Sequence, residues 1–365
     1  MHLFGLLDLW FLIRIRKHWM LEDQYEACLL HKISGLGIMA VKVMQYYAAF
    51  HPLCDSVEVR VGRFLQTHHH HHTSSKNLPE LPDFLRHHGV TWSTMRLLAA
   101  GSVGTVYHAS TLDLGEIVIK IQHPNVQREF KEGIKLLPPL AGFLFCSTPE
   151  EMTDLQYILE SQFDFTVEAR NMERFRRMYR SHPRIQIPRV YYSCPDTLVM
   201  EYKPCLPPPV ELTMERGALI KQWVFHQILE HKVFHGDLHP GNWGFSTENN
   251  LVVYDLGYVY EIHDHSLLEP EVYHSLLDKD PQIVCNSLFK IFHIEHVPPN
   301  IRQGLTEIIT ASRGGPTTTL HMMQLLSTTR VLPLNRRLLF FLNLVMIMRH
   351  IHTEVPLLRL HWCKW

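Results

Sequence analysis

The stretch His235-Gly236-Asp237-Leu238-His239-Pro240-Gly241-Asn242, followed by Val252-Val253-Tyr254-Asp255-Leu256-Gly257, constrains this chain more than any other. Asn242 stands five residues after Asp237, and Asp255 thirteen after that. The three side chains suit a division of labour. Asp237 can accept or orient the proton of an attacking hydroxyl or water, while Asn242 and Asp255 offer hard oxygen ligands to a Mg²⁺ bridging phosphates. The spacing is one that phosphoryl transfer uses. Without chemistry, the same residues describe a helix, a tight Pro-Gly turn and a hairpin in which the two aspartates are turn formers. What separates the readings lies upstream, where a glycine loop and a lysine between apolar neighbours stand in the order phosphate binding requires.

From Trp92 onward the pattern is short and β-like. Met95 to Ala100 reads as a strand, Gly101-Ser102-Val103-Gly104 as a tight loop and Thr105 to Ala109 as the returning strand. Asp113-Leu114-Gly115 makes the next turn, and Glu116 to Gln122 is a third strand that carries Lys120. The segment Ala99-Ala100-Gly101-Ser102-Val103-Gly104 lets backbone N–H groups close over phosphates, and Lys120, nineteen residues after Gly101, reaches the same phosphates as a point charge. Val126 to Leu137 reads as a helix, and Ser147-Thr148-Pro149-Glu150-Glu151 starts another. Glu168, on the second of two helical stretches, is the first candidate to pair with Lys120, with Asp164 as the alternative. The bland alternative pairs Glu168 with its Arg170 to Arg174 neighbours on a solvated helix face. Val190 to Ser193 and Thr197 to Tyr202 read as a strand pair ending at Met200-Glu201-Tyr202-Lys203. A Pro-rich connection follows from Pro204 to Pro209, and an adenine ring would meet backbone donors near Glu201. A helix carrying Ile220, Val224 and Ile228 leads into the Asp237 stretch. Beyond Asp264 the chain reads as helical, with breaks near Pro298, Pro316 and Pro333. No Ala-Pro-Glu tripeptide follows Asp255, so the segment that protein kinases use to dock peptides is missing.

The N-terminal region reads as helical, most clearly at Ile38 to Phe50, which His51-Pro52 closes. Lys42 and Gln45, three apart, lie on one face of this otherwise apolar helix. Lys42 either snorkels to water or, if that face packs over an active-site cleft, meets acids there. With 365 residues, 46% of them apolar, the chain can bury one two-lobed core or two domains. A formal net charge of −1 gives no electrostatic case for a nucleic acid partner. The seven cysteines are scattered without a C-x-x-C pair, which argues for reduced thiols and an intracellular protein. Leu3 to Ile13 and Leu338 to Met348, interrupted by Asp8 and Asn343, are too short to span a bilayer, though an interfacial helix remains open. Of the 27 histidines, His68 to His72 are consecutive, a run that supplies density without the convergent geometry of a metal site.

In order along the chain, these segments resemble the UbiB family, also called ADCK-type atypical kinases. Lys42-Val43-Met44-Gln45 is similar to the family's Lys-x-Gly-Gln motif, and Ala99 to Gly104 to its Ala-rich nucleotide loop. Val118-Ile119-Lys120-Ile121-Gln122-His123-Pro124 resembles its third-strand lysine segment. Phe163-Asp164-Phe165 with Glu168-Ala169-Arg170-Asn171 resembles its acidic and Glu-Ala-x-Asn region, and His235 to Asn242 with Asp255-Leu256-Gly257 its catalytic and metal segments. Val331 to Arg349 is similar to its last helical region. Met44 stands where the family has Gly, Gln162 where it has an acid, Gly101 where it has Ala, and Thr105 where it commonly has Gln.

The resemblance implies an α+β, two-lobed protein-kinase-like fold with a helical extension (1–90), a small β-rich N-lobe with inserted helices (91–203) and a mainly helical C-lobe (204–365). It implies ATP and Mg²⁺ as cofactors, a small-molecule or lipid substrate in quinone or lipid metabolism, and peripheral association with a mitochondrial, plastid or bacterial-type membrane. Catalysis falls to Asp237, Lys120 and Glu168. Nucleotide binding falls to Ala99, Ala100, Gly101, Ser102, Val103, Gly104, Lys120, Glu201, Lys42 and Gln45, and the metal to Asn242 and Asp255. Two other readings compete. His235 to Asn242 also resembles the catalytic loop of aminoglycoside or choline kinases, and a nucleotide-binding scaffold without catalysis would keep the same fold.

Overall fold

The computed structural model describes residues 8, 9, 11–13, 15, 18–68, 80–136, 149–207, 210–238 and 241–355. His69 to His72, Cys146, Pro208, Pro209, His239, Pro240, Cys363 and the whole segment before Asp8 lie outside them. In chain order the elements are α1 (Glu22–Gly35), α2 (Ile38–Phe50), α3 (Val57–His68), α4 (Asp83–His87), β1 (Arg96–Ala100), β2 (Gly104–Thr111), β3 (Gly115–Gln122) and α5 (Val126–Gly133). They continue with α6 (Pro149–Gln162), α7 (Phe165–Met178), β4 (Ile185–Gln186), β5 (Val190–Cys194), β6 (Thr197–Glu201), α8 (Met214–Leu229), β7 (Val233–His235), β8 (Trp243–Phe245), β9 (Leu251–Val253) and β10 (Val259–Glu261). Five helices complete the chain: α9 (Pro270–Leu276), α10 (Pro281–Ile291), α11 (Pro299–Ala311), α12 (Gly315–Thr328) and α13 (Arg336–Glu354). Among the described residues no helix is long and apolar enough to cross a membrane.

The chain divides into two compact units, Met1–Arg170 with Arg189–Tyr202, and Asn171–Pro188 with Lys203–Trp365. The helical extension therefore shares a unit with the sheet. Asn171–Pro188 goes instead with the C-terminal half, because β4 pairs in parallel with β9, Asn171 donates to the Leu256 carbonyl, and Arg184 reaches Glu215 and the Asn249 carbonyl.

In the first unit an antiparallel sheet runs in the order β1-β2-β3-β6-β5. Its central strand β3 is rich in β-branched residues, as strands buried on both faces are. Side chains alternate along a strand, so Ile117, Ile119 and Ile121 join Leu81, Leu85, Val90, Ala109 and Val199 in one apolar cluster. Val118, Lys120 and Gln122 point to the other face. Helix α2 is buried on nearly every side, from Ile38 to Phe50. It lies so close to α3 that a Cβ at Gly62 would fall 2.4 Å from the Met44 carbonyl oxygen. Tyr25 of α1 donates to Glu58 of α3 at 2.8 Å, and Arg60 reaches back to Glu22 and Glu26.

In the second unit α8 begins at a Thr213 cap that accepts from Arg216 N–H, and it buries Ile220, Trp223, Val224 and Ile228. The β7/β10 pair and the β4-β9-β8 sheet are short, and α8 together with helices α9 to α13 supplies most of the core. Prolines initiate these helices: Pro270, Pro281, Pro299 and Pro316 sit in first turns, where a missing N–H costs nothing. The break expected near Pro316 is residues 312–314, and Pro316 stands in the first turn of the helix that follows it.

His51 ends α2 with its ring stacked on Tyr47 at 4.5 Å, and its Nδ1 is buried without a hydrogen-bond partner. Burial, with a smaller contribution from the Arg63 guanidinium, pushes its pKa down from 6.5 to about 4. The folded form keeps the ring neutral while the unfolded chain protonates it below about 6.5, so the unfolded state binds more protons in that window. Stability of the first unit should therefore fall by roughly 3 kcal/mol as pH drops from 6.5 to 4. Thermal unfolding across that range checks this, and His51→Phe should flatten the dependence.

Candidate functional site

The first unit assembles the lysine side of the site. Lys120 and Glu168 form an ion pair at 2.5 Å, with 8% and 4% of their surfaces exposed, so both charges are nearly out of water. Three contacts fix where Glu168 stands. Asp164 Oδ1 accepts from the Thr166 N–H and hydroxyl at 2.9 and 2.7 Å, which caps the start of α7. The Phe165 N–H donates to the Pro195 carbonyl at 3.1 Å. Gln122, two residues beyond Lys120, donates from Nε2 to the Phe163 and Pro195 carbonyls at 3.0 Å each. The helix start is thereby tied to the sheet, and Glu168 one turn later meets Lys120. Of the two acids proposed as partner, Glu168 takes the role and Asp164 is the cap.

The loop Gly101 to Gly104 closes through a Gly101 N–H to Gly104 carbonyl bond of 2.9 Å. A Cβ at Gly104 would lie 2.5 Å from the Ile121 carbonyl oxygen, so the loop's approach to β3 admits only glycine. At Gly101 the nearest atom to such a Cβ is 3.6 Å away, and alanine would fit. Ser102 and Val103 are buried, Ala99 is exposed and Ala100 half-buried. Val103 packs with Ile38 of α2, Val126 and Phe163. His123 holds the loop twice: its backbone N–H donates to the Val103 carbonyl at 3.0 Å, and its ring Nε2 lies 2.8 Å from the Gly101 carbonyl oxygen.

Lys42 and Gln45, also expected at the nucleotide, lie on α2. Gln45 donates from Nε2 to the Leu65 carbonyl at 2.9 Å, so its amide joins α2 to α3, and Lys42 is half-buried on the same helix. Gln162 donates to the Tyr46 hydroxyl of α2 at 2.5 Å, which is what an amide does at a position where the resemblance implies an acid. At the end of β6, Glu201 N–H donates to the Arg189 carbonyl and Tyr202 N–H to that of Glu116. These two bonds tie the end of β6 to its neighbours within the unit.

The second unit carries Asp237, Asn242 and Asp255. Asp237 follows β7, and its N–H donates to His235 Nδ1 at 3.1 Å, which fixes that nitrogen as unprotonated. Gly236 is gripped on both sides: its N–H donates to the Tyr258 carbonyl at 2.9 Å, and its carbonyl accepts from Asn343 Nδ2 at 2.8 Å. A Cβ there would stand 2.1 Å from the Tyr258 ring. Asn242 is buried and donates from Nδ2 to the Asp237 carbonyl at 2.9 Å, leaving Oδ1 as the atom it can offer a cation. Register explains how Asp255 joins it. Trp243 pairs with Val253, and the Tyr254 N–H donates to the Asn242 carbonyl at 3.1 Å, so Asn242 and Asp255 stand at neighbouring ends of one hairpin. Asp255 Oδ1 accepts from Gly257 N–H at 3.1 Å, and the Leu256 carbonyl accepts from Asn171 Nδ2 at 2.8 Å.

Asp255 and Asn242 Oδ1 are hard oxygen donors of the kind Mg²⁺ takes, and among the described residues no three His, Cys, Asp or Glu converge on a metal site. A cation held by these two would draw its remaining ligands from phosphate and water, as Mg²⁺ usually does. Three positioning residues escaped the sequence reading. His123 stands in a quoted motif without a role, Asn171 closes one, and Asn343 was visible as the polar interruption of an apolar helix. That interruption was the available signal.

Removing one member of the buried pair should be costly. Lys120→Ala is expected to destabilise the first unit by about 3 kcal/mol, and Lys120→Met with Glu168→Leu to recover most of it, as urea unfolding would show. Asn343→Leu, which leaves the Gly236 carbonyl short of its donor, should cost about 1–3 kcal/mol in the second unit by the same measurement.

Residues 94–287 match the family described as ABC1 atypical kinase-like domain. The chain is 28% identical over 215 residues to the chloroplastic protein ACTIVITY OF BC1 COMPLEX KINASE 7 of Arabidopsis thaliana, covering 53% of this chain and 30% of that protein. It is 31% identical over 166 residues to the probable protein kinase UbiB of Cellvibrio japonicus, covering 40% of this chain and 30% of the other. Among solved structures, Rv3197 of Mycobacterium tuberculosis in complex with erythromycin matches at 22% identity and a TM-score of 0.44, over 73% of this chain and 80% of that one.

Proposed function

The chain belongs to the ABC1 atypical kinase-like family, and on that premise we propose that it is an ATP- and Mg²⁺-dependent phosphotransferase or ATPase of the UbiB type. The acceptor in this reading is a lipid or another small molecule of a quinone or lipid pathway, and the site of action is a membrane surface. Its fold is the family's α+β kinase-like fold. The observation that carries the proposal is the buried Lys120–Glu168 pair. A buried ion pair is a poor way to stabilise a core, because apolar residues of the same size commonly do as well or better. Its retention on the central strand beside a glycine loop is explained by phosphate binding, in which the acid holds the lysine in reach of the nucleotide.

In this reading the phosphate donor is a nucleotide. The amides of the Gly101–Gly104 loop and the Lys120 ammonium bind its phosphates, and Asn242 Oδ1 with Asp255 would hold Mg²⁺. The ion, when bound, neutralises charge on the phosphate oxygens. Asp237 takes or orients the proton of the attacking hydroxyl or water. The His235 and Asn242 bonds to its backbone keep that carboxylate in place while the proton moves. The absence of an Ala-Pro-Glu tripeptide after Asp255 favours a small acceptor over a peptide.

Phosphate release from ATP by wild type and variants, with and without lipid vesicles and phenolic acceptors, tests the proposal. Asp255→Asn should lose Mg²⁺-dependent nucleotide binding. Asp237→Asn should keep binding and lose turnover by about 10²- to 10⁴-fold. A wild-type protein that binds Mg·ATP but releases no phosphate under any of these conditions would be a nucleotide-binding scaffold.

A further inference from the structure

We infer that His123 is the positioning residue that aims the amide groups of the Gly101–Gly104 loop. Across a planar trans peptide, a carbonyl and the N–H of the next residue point in opposite directions. His123 binds the Gly101 carbonyl through its ring and the Val103 carbonyl through its backbone N–H. Both carbonyls are thereby turned toward the end of β3, and the N–H groups of Ser102 and Gly104 are turned to the opposite side. Alternate amides of the turn thus share a direction, the arrangement with which a backbone turn collects an anion. His123 itself is 6% exposed and lies three residues after Lys120, so the strand that delivers the ammonium also sets the loop. Gly104 pressed on Ile121 and Val103 packed on Ile38, Val126 and Phe163 leave the loop little freedom except about the Gly101 carbonyl. The ring bond governs that group. The inference rests on the nucleotide reading for its purpose, since phosphate is the anion those amides would meet.

Two variants separate the ring's hydrogen bond from its bulk. His123→Phe keeps the volume and loses the Nε2 donor, whereas His123→Gln places an amide N–H at similar reach. Hydrogen exchange of the loop amides, followed in nucleotide-free protein, should quicken about tenfold in His123→Phe and stay near wild type in His123→Gln. Affinity for Mg·ATP should weaken about five- to tenfold in the first and recover most of its strength in the second, with kcat less affected than KM. Unchanged exchange and affinity in His123→Phe would overturn the inference, and so would equal losses in both variants, which would assign the effect to packing. If loop exchange responds as expected but wild type binds no nucleotide, the positioning role stands and the functional reading falls.

Discussion

An ammonium group taken out of water has to be met by a negative charge held close, and Lys120 imposes that demand on the whole first unit. Glu168 answers it only because α7 starts where it does. The Asp164 cap, the Phe165 bond to Pro195 and the two bonds from Gln122 all serve to fix that start against the sheet. The sheet in turn has to present Lys120 on the face opposite its apolar cluster, which the strand's two-residue alternation does without further instruction. Ion pair, helix cap and strand register are therefore one requirement expressed at three levels.

The second unit holds its polar loop with a set of neutral side chains. Its clamps are carboxamides: Asn343 on Gly236, Asn242 on Asp237, Asn171 on Leu256, and Gln227, whose Oε1 accepts from the His235 N–H at 2.8 Å. An amide neither gains nor loses a proton in the physiological range, so the loop's shape does not change when the carboxylates it carries do. His235, a titratable residue beside these amides, is fully buried, and its Nδ1 accepts from the Asp237 N–H.

Elements set by local pattern were legible in the sequence. Helix α2 spans the residues its apolar run and the following His51-Pro52 predict, and β1 to β3 differ from expectation by a residue or two at their ends. Lys120 stood out because a lysine inside Val-Ile-Lys-Ile has no bland explanation. Its partner did not, because sequence left Glu168 and Asp164 as competing acids and only the cap geometry separates them. The partner of the Gln45 amide was hidden for a related reason: helical spacing says which face a residue is on, and the neighbouring helix that takes its amide lies twenty positions along the chain. Asn343 reaches Gly236 over 107 positions, a separation no local pattern encodes.

The hairpin of β8 and β9 shows which part of the Asn242–Asp255 interval is essential. Three residue pairs, Trp243 with Val253, Gly244 with Val252 and Phe245 with Leu251, bring the two positions proposed as metal ligands together, and the turn beyond them closes through Ser246 and Asn249 with Asn249 in the left-handed region. The turn's length enters the separation along the chain but not the separation in space. Residues added at the tip, or whole pairs added to the ladder, would stretch the interval while leaving the two oxygens where they are. A shift of one strand against the other by a single residue would keep the interval and reverse the side chains to the opposite face. Evolution can therefore edit this segment freely in size and hardly at all in register, and distant kin sought by a fixed gap between Asn and Asp would be overlooked wherever the hairpin has grown.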